Sequence, residues 1–413
     1  MVLLAASALA FQGVLFRGIA PHPTGRNGYE EYLAAADIIS NPLFNQYMSV
    51  VSGLWSPHDP DIPPPADYNP KETELEARRK FVSHFKTSLD LIEQGNQKPV
   101  YDPRTDFGPD TTLPELVYFK SLARLEGYAA YIKFADGQTD EGIRQFETAL
   151  TFSNKICSGP LVFRLVGIAC TSIELRQLDS YWPQLSLRDA EQLSKYCEDV
   201  LSTPTPLADA FRSEQKVATT SLSAILRDPK KYLATEEDPD APNQLTKDLG
   251  KLSPVDLQAT AQDAAGQIYQ TYDQVIDLLS GPESNWLQVS RLEKDPDSKS
   301  SLATKLASAV LPVIAPSVTA ELRQRTKYRL CLLNAKAIEY RWNHAELPTS
   351  IEEFTTREER TDPSGGRFLF AKEGNWFRIK RVGGDALGEL ALSPTPQPAA
   401  AGGSDNGVGN PRR

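Results

Sequence analysis

The chain has 413 residues, 40% hydrophobic and 24% charged, a globular composition with room for two or three domains. Its formal net charge is −10 and its pI about 5.1, which excludes nucleic acid as an expected partner, because an acidic chain gains nothing from counterion release. The four cysteines, Cys157, Cys170, Cys197 and Cys331, form no CxxC pair and have no histidine at zinc spacing. They read as buried free thiols, with a Cys157–Cys170 bridge open only if the fold brings the two together.

The first stretch, "MVLLAASALAFQGVLFRGIA", carries no charge before Arg17. It is short for a membrane span of roughly 20 residues and lacks a basic start. Residues 1–20 read as a membrane anchor or export signal, with a buried helix as the alternative. The anchor reading places the body at the cell membrane, facing away from the cytoplasm. After the linker "PHPTGRNG", helical spacing of apolar residues predicts a helix over 28–39. The Pro/Asp loop 56–70 cannot be helical. A helix over 71–95 follows, ending on Gly95 in a left-handed stop, and then an extended loop over 96–112.

Two amphipathic helices from Leu113 meet at "DGQT" (136–139), with Gly137 ending the first and Thr139 capping the second. The segment 160–182 is apolar on most faces and is the expected central core helix. Ser186 and Asp189 suggest a capping box for a helix over 186–202. Further helices are expected over 206–228 and 253–280, with an acidic loop over 229–244 between them. Pro312 and Pro316 should kink or divide the helical run 302–345. In "RFLFA", Phe368 and Phe370 share one face. In "NWFRIKRV", Phe377 and Ile379 share one face, with Trp376, Arg378 and Lys380 on the other. This period of two, with Gly374 in the turn, predicts a β-hairpin over 367–382. The Pro/Ala/Gly-rich end reads as disordered.

The fold class expected is therefore mainly α: a body of packed helical hairpins over 21–317, then a small α+β unit over 318–390, a helix plus a two-stranded antiparallel hairpin. Residues 391–413 form the tail.

"AKAIEYRWNHAELPTSIEEF" followed by "DPSGGRFLFAKEGNWFRIKRVGGD" resembles the C-terminal region of type II secretion pseudopilins in the order and spacing of its pieces. The pseudopilin N-terminal signature, a Gly-Phe processing site before a spanning helix, is absent. The resemblance implies a helix with antiparallel strands packed on it, and a calcium loop near the end. Asp385 matches one calcium position, but only the distant Glu389 offers a second carboxylate, so no cofactor or metal is expected. The hairpin 113–156 resembles one tetratricopeptide unit through Tyr131, Gly137 and Ala149, but no second copy follows at a period of about 34 residues. "PTGRNGYEEYLAAADII", "LPELVYFKSLARLEGYAAY" and "DPSGG" are similar to a group of bacterial envelope proteins with one N-terminal membrane segment and no assigned activity. That likeness implies location rather than chemistry.

No catalytic residue stands out. "SEQK" (213–216) is a Ser-x-x-Lys and "SDN" occurs at 404–406, but no Lys-Thr-Gly follows, so helix surface is the better reading. His22, His58, His84 and His344 are isolated in sequence. The Asp pairs 59/61, 238/240 and 295/297 flank prolines and make turns. Arg367, Trp376, Arg378, Lys380 and Arg381 form a possible interaction patch, with protection of a strand edge as the alternative. The function expected is that of a non-enzymatic, envelope-associated scaffold or interaction protein. Its protein partner and oligomeric state are unspecified. A divergent pilin-like or type II secretion component comes second, and an enzyme with an unrecognised site third.

Overall fold

A computed structural model describes residues 25–53, 63–104, 107–203, 207–233, 243–292, 300–311, 314–383 and 387–392. The expected anchor (1–20), the serine and acidic motifs at 404–406, 59/61, 238/240 and 295/297, His22, His58, Pro312 and Asp385 lie outside them, as does the tail from 393.

Among the described residues the protein is mostly helical, 68% helix with fourteen α-helices, and carries a small three-stranded antiparallel sheet at its C-terminal end. The N-terminal quarter holds α1 (Gly28–Ile39), α2 (Pro42–Val51), α3 (Glu74–His84) and α4 (Lys86–Asn96). Side-chain caps start most of them: Asn27, Asn41 before a Pro at the first position, and a Thr73/Glu76 capping box. The helix expected over 71–95 is broken at Phe85, whose φ of −110° and ψ of 21° leave the helical region. The break seats its ring against Phe44 (5.0 Å between centroids) and Phe81 (5.5 Å). Gly95 is not a left-handed stop. α4 runs through it, and α1 packs so closely that a Cβ at Gly95 would meet Tyr32 Cε1 at 2.5 Å.

The middle holds α5 (Glu115–Ala135), α6 (Thr139–Lys155), α7 (Leu161–Leu178) and α8 (Leu187–Ser202). Gly137 takes a φ of +74° between α5 and α6, as a helix stop requires. Thr139, expected as the cap, is the first helical residue, and Gln138 at the cap position makes no side-chain cap bond. The Ser186/Asp189 capping box forms. Then come α9 (Leu207–Arg227), the short α10 (Pro229–Tyr232) and α11 (Gln244–Leu249), α12 (Pro254–Leu279), α13 (Leu302–Val310) and α14 (Ile314–His344). Pro316 sits in the first turn of α14, where its missing N–H costs nothing.

The sheet has the order β1 (Arg367–Glu373), β2 (Trp376–Val382), β3 (Leu390–Leu392). β1 and β2 pair from Arg367 opposite Val382 to Glu373 opposite Trp376, leaving a two-residue turn with Gly374 at φ +60°. The third strand corrects the expected two-stranded hairpin and takes 391–392 out of the tail. A hairpin alone is marginal in water, and β3 pairs Leu392 with Ile379 at the flank of α14.

Three hydrophobic clusters form the core. One joins α1–α4 to α5 and α7; a second gathers α9, α12, α13 and the start of α14; the third packs α8, the rest of α14 and the sheet onto α5–α7. α7 contributes to all three, through Leu161, Phe163 and Leu175, as the sequence pattern implied for a central helix. Among the described residues one run, Leu302–His344, is apolar and long enough to cross a membrane by composition. Its Leu330, Cys331, Leu332, Leu333 and Ala335 are buried in the third cluster.

Candidate functional site

A groove of about 890 Å³ runs between one face of α9, the loop 101–111 and the turn Ser158–Pro160. Ser213, Lys216, Val217, Thr220, Ser223, Ala224 and Arg227 line one wall. Their spacing of three and four residues is one helix face, left facing the loop rather than another helix. Lys216 and Arg227 stand about 16 Å apart along the axis, with the small side chains of Val217, Thr220, Ser223 and Ala224 between them.

The opposite wall is fixed by charge. Arg104 forms ion pairs with the buried carboxylates of Asp102 (2.6 Å) and Glu115, and donates to Tyr29 Oη at 3.0 Å; Tyr29 in turn donates to Glu115 at 2.9 Å. Asn27 receives the Tyr101 N–H and donates to the Tyr101 carbonyl. These bonds tie the loop to α1 and α5. Burial, then the neighbouring Glu115, push the Tyr29 hydroxyl far above its ordinary range, so it stays protonated. At the loop's far end Lys231 donates to Asp110 (2.8 Å) and to Tyr232 (2.8 Å), and the bond to Asp110 raises the lysine. Where the loop meets α9, a Cβ at Gly108 would lie 3.2 Å from Thr220 Cγ2. At the groove's base Glu214 of α9 receives the Leu161 N–H (3.1 Å), capping α7, which has no side-chain cap of its own.

The Ser-x-x-Lys pair, Ser213 and Lys216, thus lines a groove, three residues apart on α9. The strongly shifted carboxyls lie elsewhere, in a buried seam. Burial pushes the Glu126 carboxyl up to about 8, and the Gln145 side-chain amide donates to it. Burial raises Glu174 too, whose two oxygens receive the Ser153 hydroxyl at 2.9 and 3.0 Å. The seam continues to α14: Asn154 donates to Tyr328 (2.9 Å), Gln324 to Thr171 (2.8 Å), and Arg164 to Glu321 (2.6 Å). All four cysteines are buried and free. Among the described residues no group of three His, Cys, Asp or Glu is placed to hold a metal ion. His84 is exposed and lies against Tyr47 (4.8 Å), and His344 stacks on Tyr340 (4.0 Å) at the end of α14.

The sheet does not assemble the five expected patch residues. Arg378 pairs with Glu373 (3.3 Å) and Lys380 with Glu389 (3.2 Å) on the outer face, near exposed Arg367. Trp376 is buried beneath Arg341, 5.1 Å above its ring, and stacks on Phe377. Arg381 is 0% exposed. It donates to Asp362 (3.2 Å), Ser364 (2.7 Å) and the Gly388 carbonyl (2.6 Å). Asp362 also receives the Thr326 hydroxyl (2.9 Å) and the Gly366 N–H (2.8 Å), so one carboxylate joins α14, the "DPSGG" turn and β2. Period two already places Arg381 with Phe377 and Ile379 on the inner face.

No family profile, curated protein or solved structure matches the chain.

Proposed function

We propose that the chain is a non-enzymatic, envelope-associated interaction protein, tethered to a membrane through residues 1–20, whose body of packed helical hairpins offers the α9 groove to a protein partner. The observation that carries this reading is the construction of the groove. One wall is an unpartnered helix face of small side chains, Val217, Thr220, Ser223 and Ala224, between two cations, and the other is a loop held by Arg104. The strongly shifted carboxyls, Glu126 and Glu174, are enclosed in the seam and do not line it. A photo-crosslinking residue at Thr220, in the groove, should give a discrete adduct in the native membrane fraction. The same residue at Val255, exposed on α12, should give none. A wholly soluble chain overturns the tether, and equal labelling at both positions overturns the groove.

A second reading, a divergent component of a pilin-like or type II secretion assembly, is favoured by one observation. The long α14 carries an antiparallel sheet joined to it through Asp362 of the "DP-x-G" turn, in the chain order of the pseudopilin resemblance. Loss of co-purifying secretion subunits on deleting 361–385 supports it, and unchanged recovery removes it.

A further inference from the structure

β1 is the outer strand of its sheet, and beyond a single bridge from Thr361 to Arg367 its free edge carries no pairing among the described residues. Such an edge is a template for another strand. Leu369 is 46% exposed on its outer face. Phe370 and Phe354, in ring contact at 5.7 Å, are only partly buried on its inner face. We propose that this edge pairs with β1 of a second copy, antiparallel, across a two-fold axis at Phe370.

The strand's sequence, Arg-Phe-Leu-Phe-Ala-Lys-Glu, carries the argument for a second copy. Pairing about Phe370 sets Leu369 against Ala371, Phe368 against Lys372, and Arg367 against Glu373. Opposite charges therefore meet twice, once at each end, as a self-complementary interface requires. The two Phe354/Phe370 pairs come together at the axis and lose their remaining exposure. A register one residue away sets Leu369 against Lys372 and loses the match. The Thr361 bridge takes up the edge beside Arg367, so the backbone ladder lies beyond it, centred on Phe370, and the Arg367–Glu373 contact is made by side chains. Glu373, 3.3 Å from Arg378 of its own chain, is then shared between two arginines. So small an interface gives a dimer in the micromolar range.

Sedimentation velocity and native mass spectrometry on the full chain in detergent test this. At about 50 µM the protein should be largely dimeric. Glu373→Arg and Arg367→Glu should each weaken the dimer roughly tenfold, and the double swap should restore it. Leu369→Lys should give monomer with an unchanged circular dichroism spectrum and melting temperature, because the side chain is outside the core. A monomer at that concentration overturns the proposal. So does a dimer indifferent to all these changes, the behaviour of one held through residues 1–20.

Discussion

Two buried side chains set the charge economy of the interior. Glu126 titrates at an ordinary 4.5 when unfolded and near 8 when folded, because burial disfavours its anion. Between those values the folded state holds a proton that the unfolded state has released. The Glu126 contribution to stability therefore falls as pH rises from about 4.5 to about 8 and then levels off. Glu126→Gln removes that slope. Urea unfolding across this range should show the variant and the parent equal near pH 4.5, with the variant ahead by up to about 5 kcal/mol above pH 8. A parallel pair of curves would place the carboxylate in contact with solvent. Arg381 behaves in the opposite sense. Arg381→Met leaves Asp362 as a buried charge and should cost about 3–5 kcal/mol in the same measurement, whereas Arg378→Met, on the exposed face, should cost under about 1 kcal/mol.

At the level of elements, glycine substitution separates packing from propensity. Gly95→Ala gains helix propensity but drives a methyl into Tyr32 and the Gly28 carbonyl, and should destabilise by about 1–3 kcal/mol. Gly266→Ala in α12, with nothing within 4 Å of its Cβ, should stabilise by about 0.5–1 kcal/mol. Thermal melts that moved the two the same way would remove the close α1–α4 contact. Local signals made most helices legible: period, caps and the Gly137 stop carried 28–39, 113–135, 139–155 and 187–202. The break at Phe85 was not legible, because its cause is a ring cluster with α2. Neither was β3, three residues with no turn signature whose partner lies on β2. The groove was hidden for the same reason. Its walls meet through contacts such as Lys231 to Asp110, 121 residues apart, which no local pattern encodes. Arg381 was legible from strand parity, and a run of basic residues obscured it.

Across the whole molecule, α7 and α14 act as a shared spine. Their buried Arg164–Glu321 pair joins the two helices directly. Glu321→Ala should cost about 3–5 kcal/mol, and the double change Arg164→Met with Glu321→Leu should recover most of it. Calorimetry should show one transition in each variant, since α7 packs into every cluster. Separate transitions for the N-terminal and C-terminal clusters would mean that the spine does not couple them.

The polar bonds on that spine also set a timetable for synthesis. Asn154, Arg164 and Thr171 find their partners on α14, 153–174 residues later in the chain. A ribosome adding about 5–20 residues per second takes roughly 8–35 s to bridge that gap. Throughout that interval these groups stay in water, so the face that α6 and α7 turn towards α14 remains open until the last helix has emerged. The chain therefore completes its core after translation of α14, and its first two hundred residues are the part that depends longest on protection from aggregation.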